Sequence, residues 1–205
     1  MKFFKWKYFL VTSIVCLLPC LLGVLLWDKL PDVMAIHFDI NNNPDNFASK
    51  GFVVFGLPIL MVILQGFCCF INDLNAKKHG ERKKFETVTK WIIPILTIVL
   101  QLATFGIALG YEVDIRIVAT VIVGVMFIVL GKYMPKLDYI KNYDVDTDKA
   151  RKINRFIGVE MVIMGILFLI STLLPPIATV ICLLLLIPYT IISVIYGIRV
   201  GKSKI

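Results

Sequence analysis

Six blocks of about twenty consecutive apolar residues constrain this chain more than any other feature. They run over residues 8–27, 52–71, 91–111, 115–133, 156–174 and 177–197. A helical stretch of about 20 apolar residues crosses the roughly 30 Å hydrocarbon layer of a bilayer. The fourth block is the weakest, because Arg116 and Lys132 must extend their side chains toward the interfaces if it is to span. The sequence therefore predicts an all-α integral membrane protein with six transmembrane helices.

Lysine and arginine are distributed very unevenly between the segments that connect these blocks. If the N-terminus is cytoplasmic, 19 of the 22 basic residues fall on the cytoplasmic side, which leaves only Lys29, Lys50 and Arg116 outside. The positive-inside rule then predicts that both termini are cytoplasmic. The net charge of +8 is explained by this topology and by attraction to anionic membrane lipid, so it requires no nucleic-acid partner.

The connections between the blocks predict two halves. An N-terminal three-helix half covers residues 1–111 and contains an outer loop at 28–51. A C-terminal three-helix half covers residues 112–205 and contains a cytoplasmic loop at 132–155. Long loops in a compact fold are commonly functional. Because the other outer connections are very short, we expect extracellular recognition to be concentrated in the first outer loop.

The outer loop contains the polar stretch LPDVMAIHFDINNNPDNFASK, from Leu30 to Lys50. Apolar residues alternate there with polar or small ones, at Met34, Ile36, Phe38 and Ile40. This period of two is typical of a short strand with one apolar face. His37 and Asp39 are then expected to lie together on the opposite face.

The residues after this strand are typical of a tight turn. The run 41–45 reads NNNPD; asparagine accepts left-handed backbone angles, and proline restricts φ. We expect Asp45 to cap a helical turn over 46–48, and Ser49 to cap the second membrane helix. The loop is therefore predicted to be a compact, hairpin-like or Ω-like structure that lies on the membrane.

Three polar side chains lie inside the predicted spans. Gln65 and Gln101 are expected to hydrogen-bond across two helices, with Thr97 as another partner, which would stabilise the helix packing. Glu160 is a candidate functional residue because an intramembrane carboxylate is costly. Its alternative role is to reach the inner headgroup region, or to pair with a lysine or arginine there.

Few residues of this sequence suggest a metal or a catalytic centre. His37, Asp39 and Asp45 are ligand types that zinc accepts, but an outer-loop cluster of this kind is more often solvated or hydrogen-bonded. None of the common protease, esterase or nucleotide-binding motifs is present. We therefore predict no metal, no cofactor and no catalytic residue.

Several short motifs resemble a known family. Leu30-Pro31, His37-Phe38, Pro44-Asp45 and Ser49-Lys50 resemble the LP…HF…G-x-PD…SK signature of a small membrane domain of unassigned function. That domain commonly forms the N-terminal half of the SdpI-type bacteriocin immunity family. Asn42 stands where the signature has glycine, and both residues accept a left-handed turn.

The second half of the chain carries a partial resemblance to the same family. Residues 131–136, GKYMPK, are similar to the family segment G-N-Y-M-P-K, and residues 154–158, NRFIG, are similar to T-N-R-F-x-G. The family motif N…G-I-R-T-P-W-T-L, which normally lies between them, is missing here. Residues 142–146 read NYDVD instead.

The resemblance implies a six-helix, bacterial plasma-membrane protein that protects its host from a secreted toxic peptide without catalysis. Some family members also hold a cytoplasmic repressor at the membrane, a role that the missing motif makes less expected here. Peptide recognition would use the outer loop. Its candidate residues are His37, Phe38, Asp39, Asp45 and Lys50, with Phe47 as a second apolar contact.

Two other classes of function stay open at this point. A membrane enzyme acting on lipid-linked substrates would use His37 as a base oriented by Asp39, within a cavity that reaches both. A small carrier, or an accessory subunit of an exporter, would require Gln65, Gln101 and Glu160 to line one path.

Overall fold

The computed structural model describes residues 4–79, 83–136 and 147–202 of the chain. Within these ranges a two-stranded antiparallel sheet, β1 (Val33–Phe38) and β2 (Pro44–Ser49), lies between the first two of six long helices. The helices are α1 (Trp6–Leu25), α2 (Leu57–His79), α3 (Lys83–Ala108), α4 (Ile115–Tyr133), α5 (Thr147–Ser171) and α6 (Pro176–Lys202). The segment 142–146, where the family motif is missing, lies outside the described residues.

All six helices are long and apolar enough to cross a membrane. The predicted fold class, with six membrane helices and a short strand between the first two, is thus confirmed. The cytoplasmic position of both termini stays a prediction. Helices α3 and α5 begin eight and nine residues before the predicted apolar spans, at Lys83 and Thr147. The prediction followed hydrophobicity, whereas lysine, glutamate and alanine continue a helix readily beyond the hydrocarbon layer.

The described residues form two compact units. The first comprises Met1–Leu74 and Thr87–Ala119, and it contains the hairpin. The second comprises Asn75–Glu86 and Thr120–Ile205, and it contains α5, α6 and most of α4. The predicted division into halves at residues 111 and 112 stays a prediction.

In the first unit, an apolar cluster joins the hairpin to the segment that precedes α2 and to α3. Its buried members are Leu30, Met34, Val53, Val54 and Phe105. Met34 of β1 is 2% exposed, so the inner face of the hairpin is part of this core. A Cβ atom added at Gly23 would lie 2.6 Å from Cγ1 of Val54, which shows that α1 closely approaches the π-helical turn over Phe52–Gly56 that precedes α2.

In the second unit, glycines allow α4 and α5 to pack with their backbones in contact. A Cβ added at Gly131 would lie 2.6 Å from the carbonyl oxygen of Gly158, and one at Gly165 would lie 2.6 Å from that of Gly124. Small residues at membrane helix interfaces permit this close approach, and van der Waals packing then stabilises the helix pair.

We expect Gly131→Ala to lower the free energy of unfolding by about 1–3 kcal/mol, because the new methyl group must separate two backbones. Chemical unfolding in detergent micelles would measure this change. Gly197→Ala in α6 is the matched control, since a Cβ there has no neighbour within 4 Å. The control is expected to be neutral or slightly stabilising. Equal effects of the two substitutions would contradict the packing interpretation.

Candidate functional site

The candidate site is built on the hairpin between α1 and α2. Val33 pairs with Ser49, Met34 with Ala48, and Ala35 with Phe47, after which irregularities shift the register. The predicted helical turn over 46–48 is therefore wrong, because these residues belong to β2. Pairing with β1 holds these residues in an extended conformation and places Ala48 opposite the buried Met34. Ser49 does cap the following helix, since its Oγ accepts a hydrogen bond from the Phe52 backbone N–H at 3.4 Å.

The register shifts bring His37 to Asp45 instead of to Asp39. Nδ1 of His37 lies 2.5 Å from Oδ1 of Asp45, and the two side chains are 67% and 47% exposed. The expectation that His37 and Asp39 lie together on one strand face is therefore corrected, since β1 ends at Phe38, before Asp39. It assumed regular alternation, which the bulged region between Ala35 and Phe38 interrupts.

Asp39 instead organises the turn of the hairpin. Its carboxylate accepts hydrogen bonds from the backbone N–H groups of Asn43 at 2.8 Å and Asn41 at 2.9 Å, and from the Asn43 side chain at 3.1 Å. These hydrogen bonds hold the pKa of the Asp39 carboxyl below its usual value, and the bonds from Asn43 contribute most. The charged form of Asp39 therefore stabilises the turn, and this contribution is lost as the pH falls through that lowered pKa.

Asn42 joins the hairpin tip to the connection between α3 and α4. Its backbone has a positive φ of 66°, as expected at the glycine position of the family signature. Its Nδ2 donates to the Val113 carbonyl at 3.0 Å, and its Oδ1 accepts from the Ile115 N–H at 2.8 Å. Sequence reasoning recognised the turn geometry but missed this contact, which a glycine could not make.

Lys50 joins the two ends of the hairpin. Its ammonium group donates to the carbonyls of Trp27 and Leu30, at 3.2 and 3.0 Å, and lies 3.0 Å from a carboxylate oxygen of Asp32. It also lies 4.9 Å from the centre of the Trp27 ring. The Lys50 side chain is only 14% exposed. Its contacts thus indicate that it positions the loop, and direct contact with a ligand stays a prediction.

The outer face of the hairpin is apolar and exposed. Val33 and Phe47 are 59% and 53% exposed, and the pairing of Val33 with Ser49 and Ala35 with Phe47 places them on the same face. Phe38 is half-buried near the turn. We name Val33, Phe47, His37 and Asp45 the hairpin surface.

The charges around the hairpin surface are mainly acidic. Lys50 is paired with Asp32, and Arg116 is paired with Asp114 at 3.2 Å. These pairs neutralise two of the three basic side chains on the predicted outer side, Lys29 being the third. The remaining acidic side chains are Asp28, Asp39, Asp45 and Glu112, against Lys29. A cationic partner would meet a favourable potential here.

The predicted hydrogen bond between Gln65 and Gln101 is not formed. Nε2 of Gln65 donates to Thr12 Oγ1 at 2.8 Å and to the Lys90 carbonyl at 2.9 Å. Nε2 of Gln101 donates to the Val53 carbonyl at 2.7 Å, next to a π-helical turn over Phe52–Gly56. Thr12 of α1 and the irregular backbone at Val53 supply these partners. A prediction that considered only α2 and α3 could not anticipate them. Both side chains have structural contacts within the first unit.

A buried ion pair in the first unit was also missed. Nζ of Lys90 lies 2.5 Å from Oδ1 of Asp73, and the two side chains are 2% and 0% exposed. Oδ2 of Asp73 accepts a hydrogen bond from the Lys5 backbone N–H at 2.8 Å. The available signal was the spacing of Gln65, Cys69 and Asp73, which places them on one buried face of α2.

In the second unit, Glu160 has a hydroxyl partner. Its Oε2 accepts a hydrogen bond from Ser193 Oγ of α6 at 2.5 Å. Among the described residues, no lysine or arginine forms an ion pair with it. The expectation that Glu160 reaches the inner headgroup region stays a prediction. The described residues also contain no group of three or more side chains arranged to hold a metal ion.

The six helices define a multi-pass membrane protein. Comparison with known proteins agrees with this class. Residues 14–62, from α1 through the hairpin into α2, match the model of a domain of unknown function, DUF1648. Over 125 residues the chain is 29% identical to Immunity protein SdpI of Bacillus subtilis (strain 168).

That match covers 61% of this chain and 58% of the relative, so the chain spans less than two thirds of the length of that protein. No solved structure matches the chain. The predicted resemblance to the SdpI-type family is confirmed by the two matches, and it favours an immunity-type membrane function. The residues that carry the resemblance also build the hairpin. Leu30 is in its core, His37 and Asp45 pair, Ser49 caps a helix, and Lys50 joins its ends.

Proposed function

We propose that this protein protects its host cell from a secreted, cationic and amphipathic peptide that binds the hairpin surface. The observation that carries this proposal is a hairpin held rigidly from several sides whose outer face is nevertheless apolar and exposed. Met34, Lys50 and Asn42 fix it to the rest of the first unit. Similarity to an immunity protein supports the protective role.

The chemistry of the hairpin surface favours an amphipathic ligand. Val33 and Phe47 offer apolar contact area, and a buried aromatic side chain contributes strongly to many interfaces. The acidic side chains nearby would attract basic residues of the peptide and increase its rate of association. This proposal includes the predicted orientation, in which the hairpin faces outward and both termini are cytoplasmic.

The other functions receive less support. An enzyme using His37 as a base would need a water-excluding cavity, but its pair with Asp45 is mostly in solvent. For a carrier, Gln65 and Gln101 would need to face a path, whereas both donate to neighbouring groups in the helix packing. Recruitment of a cytoplasmic repressor rests on the family resemblance alone, and the missing motif leads us to propose protection without it.

Phe47→Ala is expected to reduce protection by about tenfold or more, since an aromatic side chain central to an interface contributes about 2 kcal/mol or more. The measurement is survival of sensitive cells that express the protein, against a panel of secreted cationic peptides. Phe67→Ala is the matched control, because Phe67 is 67% exposed but lies on α2 instead of the hairpin. Equal survival with both variants, at equal amounts in the membrane, would argue against recognition by the hairpin.

A further inference from the structure

The second unit contains an acidic side chain in largely apolar surroundings between α5 and α6. One carboxylate oxygen of Glu160 accepts the hydrogen bond from Ser193. No donor among the described residues contacts the other oxygen, Oε1. Glu160 is only half-buried, so this second oxygen can accept hydrogen bonds from a further group. The arrangement therefore favours a positively charged ligand that also donates hydrogen bonds.

Aromatic residues lie about one helical turn from Glu160 on α5 and from Ser193 on α6. Phe156, one turn before Glu160 on α5, stacks on Tyr196 of α6 with ring centres 4.1 Å apart and planes at 21°. Tyr189 lies one turn before Ser193, on the same face of α6. A carboxylate combined with aromatic rings is suited to an ammonium group, which interacts with both. One carboxylate and one hydroxyl are too few oxygen ligands for calcium.

The depth of the carboxylate indicates where this ammonium comes from. Glu160 follows Phe156, the first residue of the apolar part of α5, by four residues, which is about 6 Å along the axis at 1.5 Å per residue. Helical side chains also point back toward the helix N-terminus, so the carboxylate reaches toward the headgroup region. Lys152, on the same face of α5 and two turns nearer its N-terminus, is exposed and suited to a phosphate group.

We infer that Glu160, Ser193, Tyr189 and the Phe156–Tyr196 pair form a binding site for the primary ammonium of an aminophospholipid, such as phosphatidylethanolamine. The ammonium donates to Oε1 of Glu160, and the rings contact its aliphatic carbons. This inference is independent of peptide recognition by the hairpin. Phosphatidylcholine, whose trimethylated nitrogen has no hydrogen to donate, binds this site more weakly.

Retention of lipid by the purified full-length protein, followed by native mass spectrometry, tests this site. The wild type should retain phosphatidylethanolamine over phosphatidylcholine, and Glu160→Gln should reduce this preference by about tenfold or more, the factor for one charge-assisted hydrogen bond. Asp148→Asn, which removes a carboxylate from the start of α5, should leave it unchanged. Equal retention of the two lipids by the wild type, or the same preference in Glu160→Gln, would overturn the inference.

A second measurement uses only the wild type, so it does not depend on a variant folding. A membrane-soluble carbodiimide activates a carboxyl group, a primary amine then forms an amide bond with it, and the carbodiimide leaves as a urea with the displaced oxygen. In vesicles containing phosphatidylethanolamine, the expected product is a Glu160 peptide joined to that lipid. Modification of Glu160 by carbodiimide without attached lipid would contradict the proposed contact.

Discussion

A Lys90→Met variant is expected to lose about 3–5 kcal/mol of unfolding free energy, because it leaves the Asp73 carboxylate buried without its cation. The Lys90 and Asp73 side chains are 2% and 0% exposed. Water therefore cannot replace the missing partner without opening the packing between α2 and α3. The effect would be measured by chemical unfolding of the purified protein in micelles.

Two further variants make this result specific. Lys84→Met removes a lysine from the exposed start of the same helix and should change stability by no more than about 0.5 kcal/mol. The double variant Lys90→Met with Asp73→Asn removes both charges but keeps an acceptor for the Lys5 N–H, so it should recover part of the loss. A Lys90→Met variant as stable as Lys84→Met would show that the ion pair does not hold this part of the first unit together.

Lys50→Met is expected to loosen the hairpin while the membrane helices stay folded. The substitution removes the donors to the Trp27 and Leu30 carbonyls and the ion pair with Asp32. A hydrogen bond from a charged group contributes about 1.5–3 kcal/mol, so opening of the hairpin should become about tenfold more frequent or greater. Amide hydrogen exchange over β1 and β2 would measure this opening.

Lys29→Met is the matched control for that experiment, since it removes a lysine from the same connection outside the contacts of Lys50. Its exchange over β1 and β2 should equal that of the wild type. If Lys50→Met also left exchange unchanged, the burial of Met34 and the hydrogen bonds of Asn42 would be enough to hold the hairpin without Lys50.

The fold could be predicted from the sequence because one physical requirement, that each helix crosses the bilayer, dominates it. Apolar blocks long enough to cross the hydrocarbon layer predict helices, and all six helices are present. Helix ends were less predictable, since polar residues extend α3 and α5 beyond the apolar blocks. The hairpin was predicted from alternation and turn residues, but its second strand was not. Asn46 to Ala48 have no strong local pattern, and pairing with β1 decides their conformation.

The site was less predictable than the fold, because its contacts join distant parts of the chain. His37 and Asp45 were both candidates, but their pairing depends on irregularities in strand register. Asn42 contacts residues more than seventy positions away, at Val113 and Ile115. No local sequence pattern indicates a contact between residues that are so far apart in the chain. Lys50 was expected at a recognition face, whereas the carbonyls that it binds are visible only in three dimensions.

The most direct test of the central claim is photo-cross-linking from position 47. A photoreactive phenylalanine analogue would replace Phe47 in living cells. These cells would then be exposed to a cationic peptide against which the wild-type protein protects. The account predicts a covalent adduct with the peptide at position 47 and none from the same analogue at position 67. Protection without an adduct at position 47, or equal adducts at both positions, would contradict recognition by the hairpin surface.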